Sequence, residues 1–167
     1  VELIKGFNKH RLAKFMKLWK DSTKEMLLMN KLEGHVDSAT DEFTKEFVKN
    51  GGVIKSIYEA NYDFKIKVEG SWQTITPDKM TDFVNEMQGD GGEVKLTDKM
   101  YQNMAIFDKK VVFVSLVDPT ISRYDRSDII VKNQNFAESM AEFFEQSWSK
   151  AYSAEEFKNK FINSSKG

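Results

Sequence analysis

The stretch NMAIFDKKVVFVSLV, residues 103–117, decides the fold. Two apolar runs flank the polar triplet Asp108-Lys109-Lys110, and both are rich in the branched and aromatic residues that favour strands. A connection this short joins neighbouring antiparallel strands in a tight turn. The pattern therefore predicts a β-hairpin that lies inside the domain.

Upstream of the hairpin, apolar runs alternate with amphipathic segments. Residues 3–22 have apolar side chains at three-to-five-residue spacing, which predicts a long helix. The run Glu25 to Asn30 predicts a buried strand, and a second helix is expected from Asp37 or Ser38 to the stop at Asn50-Gly51-Gly52. The run Val53 to Glu59 predicts the next strand. Strand, helix and strand in this order form a βαβ unit, so we expect the two strands to be parallel.

Residues 60–76 are ambiguous, because they alternate as a strand does but also fit an irregular insertion. Thr76-Pro77 is typical of a helix start, and this helix is expected to run to about Gln88. The glycine-rich loop, residues 89–92, lacks the following helix and the lysine of a phosphate-binding loop, so we interpret it as a connector to a strand at Glu93 to Thr97.

The end of the chain predicts one more strand and two helices. A polar loop, Asp118 to Ser127, leads to a strand at Asp128 to Lys132 and then to a helix after Asn133. The apolar stripe expected on that helix consists of Phe136, Met140, Phe143, Phe144 and Trp148. A last helical stretch covers Ala154 to Ile162. The predicted fold class is α/β, a mixed sheet flanked by helices.

Bulk composition excludes several classes of protein. The 167 residues fit one domain, residues 1–167, and a net charge of −1 gives no global reason to bind nucleic acid or an anionic membrane. There is no cysteine, and two histidines leave little for a metal site, so no metal or cofactor is expected. The absence of a signal peptide and of a long apolar run predicts a cytoplasmic protein. Because the first residue is Val1, we expect a longer protein with an upstream part.

The hairpin and its flanks resemble a known family. MAIFDKKVVFVSLV, then SDIIVKNQNFAESMAEFFEQSWSKA, with KEMLLMN, NGGVIKSIYEA and GGEVKLTDKMYQNMAIFD upstream, is similar to the C-terminal domain of TrmB-like transcriptional regulators. Such domains resemble one half of a phospholipase D fold. The resemblance covers most of the chain and is distinctive from Tyr101 to Trp148.

The resemblance allows a chemical test. Active phospholipase D-like enzymes carry His-x-Lys, four residues and Asp, followed by a strand that ends in Gly-Ser. If Asp108 takes the aspartate position, the histidine position falls on Tyr101, the lysine position on Asn103, and Gly-Ser on Ser115-Leu116. Tyrosine is mostly neutral at pH 7 and asparagine carries no positive charge. The resemblance therefore implies a domain that is not an enzyme.

Two groups of residues are candidate contacts. Tyr101, Asn103, Asp108 and Ser115 are expected to line a ligand pocket, although Asp108 also fits the simpler role of a turn residue. Arg123, Tyr124 and Arg126 suit an anion or a subunit interface, against the simpler alternative of surface ion pairs with Asp125 and Asp128.

The basic amphipathic segment at the N-terminus, with six positive and two negative charges from Glu2 to Asp21, could bind a membrane. We interpret it instead as a helix that packs on the sheet through Phe15, Met16 and Trp19.

The predicted function is a regulatory domain that senses a small-molecule effector, mediates formation of a homodimer, or does both. DNA is expected to bind only through an upstream winged helix-turn-helix domain outside this chain, and no membrane partner is expected. Two alternatives stay open: an oligomerisation module without a ligand, and a phosphodiesterase with a displaced nucleophile.

Overall fold

The computed structural model describes residues 1–6, 9–31, 41–60, 65–68, 70–100, 103–122 and 124–165. The elements in chain order are β1 (Glu2–Lys5), α1 (Lys9–Asp21), β2 (Glu25–Lys31), α2 (Asp41–Lys49), β3 (Val53–Glu59), β4 (Lys65–Val68), β5 (Ser71–Thr74), α3 (Pro77–Gly89), β6 (Glu93–Thr97), β7 (Asn103–Phe107), β8 (Val111–Ser115), β9 (Ser127–Lys132), α4 (Gln134–Lys150) and α5 (Ala154–Ser165).

Seven strands form one mixed sheet in the order β1-β9-β8-β7-β2-β3-β6. β2, β3 and β6 are parallel, as the βαβ pattern predicts, whereas β7, β8, β9 and β1 follow one another antiparallel. The antiparallel pair of β2 and β7 joins these two halves. The predicted hairpin is confirmed, and its two strands lie in the middle of the sheet.

The first predicted helix is wrong at its start. Glu2–Lys5 is a strand that pairs antiparallel with β9, and the helix begins only at Lys9. Leu3 is exposed and Ile4 is buried, which is the two-residue alternation of a strand rather than the period of a helix. Gly6 then turns the chain at a φ of 83°, a conformation that glycine adopts without a steric penalty.

The ambiguous segment contains a separate hairpin. β4 and β5 pair antiparallel as a two-stranded sheet, with Gly70 at a φ of 83° between them. The predicted alternation therefore holds for part of this stretch, whereas Tyr62 and Phe64 lie outside the described residues. The expected helix start at Asp37 or Ser38 also lies outside them, and α2 is described from Asp41.

Helices cover the two faces of the sheet unequally. On one face, which we call the α1 face, the aromatic side chains of α1 pack on Phe107 and Phe113 of the hairpin strands, with ring centroids of Phe15 5.6 and 5.4 Å from theirs. α2 packs beside α1 there. The opposite face, the α4 face, is covered by α4, which lies over β2, β7, β8 and β9. The packing role predicted for the basic first helix is confirmed.

The predicted stripe of α4 is rotated from the observed one. Ala137, Ala141 and Phe144 are buried against the sheet, while Phe136 and Phe143 remain 37% and 50% exposed. Small alanines let the helix axis approach the sheet closely, so the stripe centres on them and the larger rings fall to one side. The helix start predicted after Asn133 is confirmed, and the Oδ1 of Asn133 caps the helix by accepting the backbone N–H of Phe136 at 2.9 Å.

The two edges of the sheet differ. At the β6 edge, Leu96 and Tyr152 exchange two backbone hydrogen bonds of 2.7 and 2.8 Å, so the chain after α4 covers that edge. At the other edge lies β1, which has only four residues and carries Glu2 and Lys5. A short, charged strand of this kind is a poor template for further pairing.

A glycine contact gives the first testable prediction. A Cβ on Gly52 would lie 2.3 Å from the buried ring of Phe47, so Gly52→Ala must displace that ring from the core. We expect the free energy of unfolding to fall by about 1–3 kcal/mol in chemical denaturation.

Gly89, at the end of α3, is the matched control, because a Cβ there meets nothing within 4 Å. Gly89→Ala should leave stability unchanged or raise it slightly, since alanine is the better helix former. Equal losses in the two variants would contradict the packing described for Phe47.

Candidate functional site

Two of the four expected pocket residues lie side by side. Asn103 at the start of β7 and Ser115 at the end of β8 are register partners. Alternation along both strands directs them to the α1 face, the same side as Phe107 and Phe113. The Oδ1 atom of Asn103 accepts the backbone N–H of Lys31, so this side chain also ties β7 to the end of β2.

Arg11 of α1 supplies a positive charge to the same place. Its Nε donates to Oδ2 of Asp128 at 2.6 Å, and its Nη2 donates to Oγ of Ser115 at 2.9 Å. The guanidinium carbon also lies 5.3 Å from the ring centroid of Phe113, within cation–π range. Asp128 is the register partner of Ser115 on β9, and its side chain is only 7% exposed. We call Arg11, Asn103, Ser115 and Asp128 the sheet-end cluster.

Arg11 is not among the predicted site residues, because its charge groups it with the solvated basic face of the helix. One signal was available. Arg11 precedes the partly buried Phe15, which packs on the core, by four residues, and on a helix such positions share a face. An arginine on the buried side of a helix needs an acidic partner, and Asp128 provides it.

The cluster is electrostatically balanced. The charge of Arg11 is neutralised by Asp128, and nearby Lys31 lies 3.6 Å from the buried carboxylate of Glu59, which also accepts the backbone N–H of Met100 at 2.6 Å. Because these charges are paired, the cluster offers a ligand hydrogen-bonding groups but no unneutralised positive charge. Such an arrangement suits a small polar ligand better than a multiply charged phosphate.

Asp108 lies at the opposite end of β7 from Asn103, about 16 Å along the strand at the usual rise. Its carboxylate accepts the backbone N–H groups of Thr23, Lys24 and Glu25 at 2.9, 2.8 and 2.9 Å. The simpler interpretation of Asp108 as a turn residue is therefore confirmed. The structure does not bring it together with Asn103 and Ser115.

The carboxyl group of Asp108 is held ionised by these contacts. Burial has the largest effect on its pKa and raises it, but the three backbone hydrogen bonds and the charge of Lys110 together lower the pKa below the ordinary value of 3.8. The negative charge thus belongs to the hairpin turn and its backbone partners.

The remaining expected contacts are scattered or lie outside the described residues. Tyr101 and Arg123 fall outside them. Tyr124 is 68% exposed in the β8–β9 loop, and the Nε of Arg126 donates to the backbone oxygen of Asp118 at 3.0 Å. Asp128, one of the acidic partners considered for this loop, is bound by Arg11 instead.

Within the described ranges, no group of three or more His, Asp or Glu side chains is arranged to hold a metal ion. In the same ranges, no helix is both long and apolar enough to cross a membrane.

Solved structures resemble this chain over most of its length. TrmBL2, an archaeal chromatin protein whose structure shows a novel mode of DNA binding, superposes with a TM-score of 0.65 at 19% identity, covering 90% of this chain and 53% of that one. Nuc, a phospholipase D family member from Salmonella typhimurium, gives 0.62 at 11% identity with 90% and 95% coverage. NucT from Helicobacter pylori gives 0.61 at 10% identity with 91% and 97% coverage.

These likenesses establish the fold. The chain has the phospholipase D-like fold, which it shares with Nuc, NucT and TrmBL2, and it spans about half the length of TrmBL2. No protein-family model matches the sequence, and no curated protein matches it. The fold predicted from the hairpin and its flanks is therefore confirmed.

Asp108 gives the second prediction. Asp108→Asn keeps a residue that tolerates the left-handed turn but removes the ionised acceptor, so the free energy of unfolding at neutral pH should fall by about 1–2 kcal/mol. Because the pKa is lowered in the folded state, the stabilisation is complete above the ordinary pKa of 3.8 and is lost as pH falls through the lower value. Denaturation at a series of pH values should show the two proteins converging in acid.

The control is Asp82→Asn, an exposed position on α3, which should change stability by less than about 0.5 kcal/mol at every pH. A difference between wild type and Asp108→Asn that stays constant down to strongly acidic pH would contradict the role given to the carboxylate.

Proposed function

We propose that this chain is a non-catalytic regulatory domain of a TrmB-like transcriptional regulator, which forms a homodimer and binds a small polar effector at the sheet-end cluster. The likeness to TrmBL2 and the phospholipase D-like fold support the regulatory assignment. An upstream DNA-binding domain belongs to this proposal.

The chemistry of the cluster supports a domain without catalysis. At the lysine position stands Asn103, whose side-chain oxygen is engaged by a backbone N–H. The cation that enters the site, Arg11, is paired with a buried carboxylate. A phosphoryl-transfer site needs positive charge aimed at the developing oxyanions, and a neutralised guanidinium supplies little of it.

The observation that carries the dimer is the part of the α4 face towards β1, which α4 covers only partly. Leu3, Ile129 and Val114 form a cross-strand row there; Leu3 is 57% exposed, and Ile129 and Val114 are half-buried. Phe136 and Phe143 project from α4 on the flank towards this row, because the opposite flank faces β3. We call these five residues the open half of the α4 face.

The orientation of α4 follows from its charged contacts. Glu145 lies 3.7 Å from Lys55 of β3, and Lys55 and Lys95 both lie over the ring of Trp148. At 100° per residue, Phe136 and Phe143 fall on the other side of the helix axis from Glu145. The glutamates of α4 lie away from that flank, and its one charged residue on α4, Lys150, lies at the end of the helix two turns after Phe143. The stretch from Phe136 to Phe143 is therefore uncharged along this flank, as interface cores usually are.

The shape fits a second copy of this chain. The phenylalanines form a ridge beside a sheet surface that α4 covers only partly, so a two-fold axis can place the ridge of each copy against the partly exposed strands of the other. The exposed parts of the five side chains amount to on the order of 300 Å² of apolar surface. A standard interface buries about 800 Å² per partner, a little over half of it apolar, so surrounding polar residues must contribute the rest.

The third prediction tests the dimer. Phe143→Ser should shift the molecular mass in solution from dimer towards monomer, because it removes an aromatic anchor from the interface and costs about 2 kcal/mol or more of association free energy. Analytical ultracentrifugation over a range of concentrations measures this shift.

The neighbouring Glu142→Ser is the matched control, since it introduces the same residue on the same helix but away from the open flank. It should leave the mass unchanged. A wild-type protein that is monomeric at every concentration, or a Phe143→Ser dimer as stable as wild type, would overturn this interface.

The fourth prediction tests effector binding and the absence of catalysis. Thermal melting against sugars, nucleotides and phosphorylated metabolites should reveal a ligand, since a compound at about 100 times its dissociation constant adds about 2.7 kcal/mol of stability. The shift should be reduced in Asn103→Ala, compared with the unliganded melting point of that same variant. A simple phosphodiester substrate should remain uncleaved.

Cleavage of that substrate would favour a phosphodiesterase. If none of the compounds raises the melting temperature and the protein is a stable dimer, an oligomerisation module without a ligand is favoured.

A further inference from the structure

Four lysines surround the turn of the β7–β8 hairpin, at the end of the sheet opposite the sheet-end cluster. Lys109 and Lys110 lie in the turn, Lys24 precedes β2, and Lys132 ends β9. The turn binds residues 23–25 through Asp108, and Val111 is the register partner of Lys132. All four lysines therefore lie at the same end of four neighbouring strands, β9, β8, β7 and β2. All four are exposed. We call them the hairpin lysines.

The acidic groups at this end are already engaged. The carboxylate of Asp108 accepts three backbone N–H groups, and Glu25 lies 3.9 Å from Lys109. The side chains of Lys24, Lys110 and Lys132 form no ion pair with any residue that the structure describes. This end of the sheet therefore carries more positive than negative charge, although the net charge of the whole chain is −1.

The turn itself gives an independent observation. Asp108 and Lys109 have φ values of 53° and 54°, and the N–H of Lys110 donates to the oxygen of Phe107 at 3.0 Å. These are the features of a type I′ turn, in which glycine or asparagine is preferred at the second central position. A lysine there is conformationally unfavourable, and such outliers are retained where the side chain is used.

The arrangement fits a polyanion with a regular backbone. Neighbouring strands lie about 4.8 Å apart, so the hairpin lysines span roughly 14 Å across the ends of the strands. This distance is long enough to contact several phosphates of one DNA strand. Thr23, Asp108 and Asn133, which neighbour the lysines in sequence, are polar, and Val53, which is exposed beside Lys24, is a single small apolar side chain, so this group offers little to insert into a bilayer. Because Asp108 binds the turn to the backbone at the start of β2, the ammonium groups of the turn lysines project from a rigid part of the sheet.

We propose that the hairpin lysines bind the phosphate backbone of double-stranded DNA without reading its sequence. This contact belongs to the chain itself. It is separate from the DNA-binding domain expected upstream and does not depend on the proposed dimer.

The fifth prediction uses one substitution with two opposite effects. Lys109→Gly should raise the melting temperature by roughly 2–4 °C, because glycine adopts the left-handed turn without a steric penalty. It should at the same time weaken binding of a labelled mixed-sequence DNA duplex and lower the slope of log affinity against log salt concentration by about one. Fluorescence anisotropy at several salt concentrations measures both quantities for this chain.

Two further variants complete the test. Replacing all four hairpin lysines with glutamine should lower the slope by about three to four and leave the solution mass unchanged, which separates this proposal from the dimer. Lys150→Gln, an exposed position at the other end of α4, should leave DNA affinity unchanged. The proposal is overturned if wild type does not bind the duplex, if the Lys150 and Lys109 variants lose affinity equally, or if only vesicles with anionic lipid are bound.

Discussion

The central strand β2 is clamped at both ends by side chains from β7 and its turn. Asp108 accepts the backbone N–H groups where β2 begins, and Asn103 accepts the N–H of Lys31 where it ends. Because β2 and β7 join the parallel half of the sheet to the antiparallel half, this pair sets the register of everything on either side. Two positions that the resemblance assigns to a catalytic motif thus perform a structural task in this chain.

The same clamp determines where functional groups lie. Fixing the start of β7 places Asn103 beside Ser115, and the antiparallel register then places Asp128 next in line, within reach of Arg11. Fixing the end of β7 through Asp108 holds the hairpin turn, with Lys109 and Lys110, in a single conformation. The two ends of the β7–β8 hairpin therefore differ in chemistry. The sheet-end cluster, in which the charges are paired, lies at one end, and the hairpin lysines lie at the other.

Local patterns predicted most of the elements because the residues that form them are adjacent in sequence. The strand at Val53–Glu59, the hairpin strands and the helix after Asn133 could be predicted from apolar runs and turn chemistry alone. The pairing of Arg11 with Asp128 could not be predicted in this way, since 117 positions separate the two residues and only the register of β9 brings them together. The strand at Glu2–Lys5 was missed for the same reason, because its partner β9 lies at the far end of the chain.

The closed edge at β6 limits how this protein can assemble. A sheet with two open edges can add copies end to end without limit, which is how strand-mediated fibres grow. Here the backbone groups of Leu96 are occupied by Tyr152, which hinders pairing of a further strand with β6 and leaves the short strand β1 as the other edge of the seven-stranded sheet. Joining two copies through that edge would consume it in both, and the assembly would stop at two. The segment that follows α4 thus hinders polymerisation through the β6 edge of the sheet.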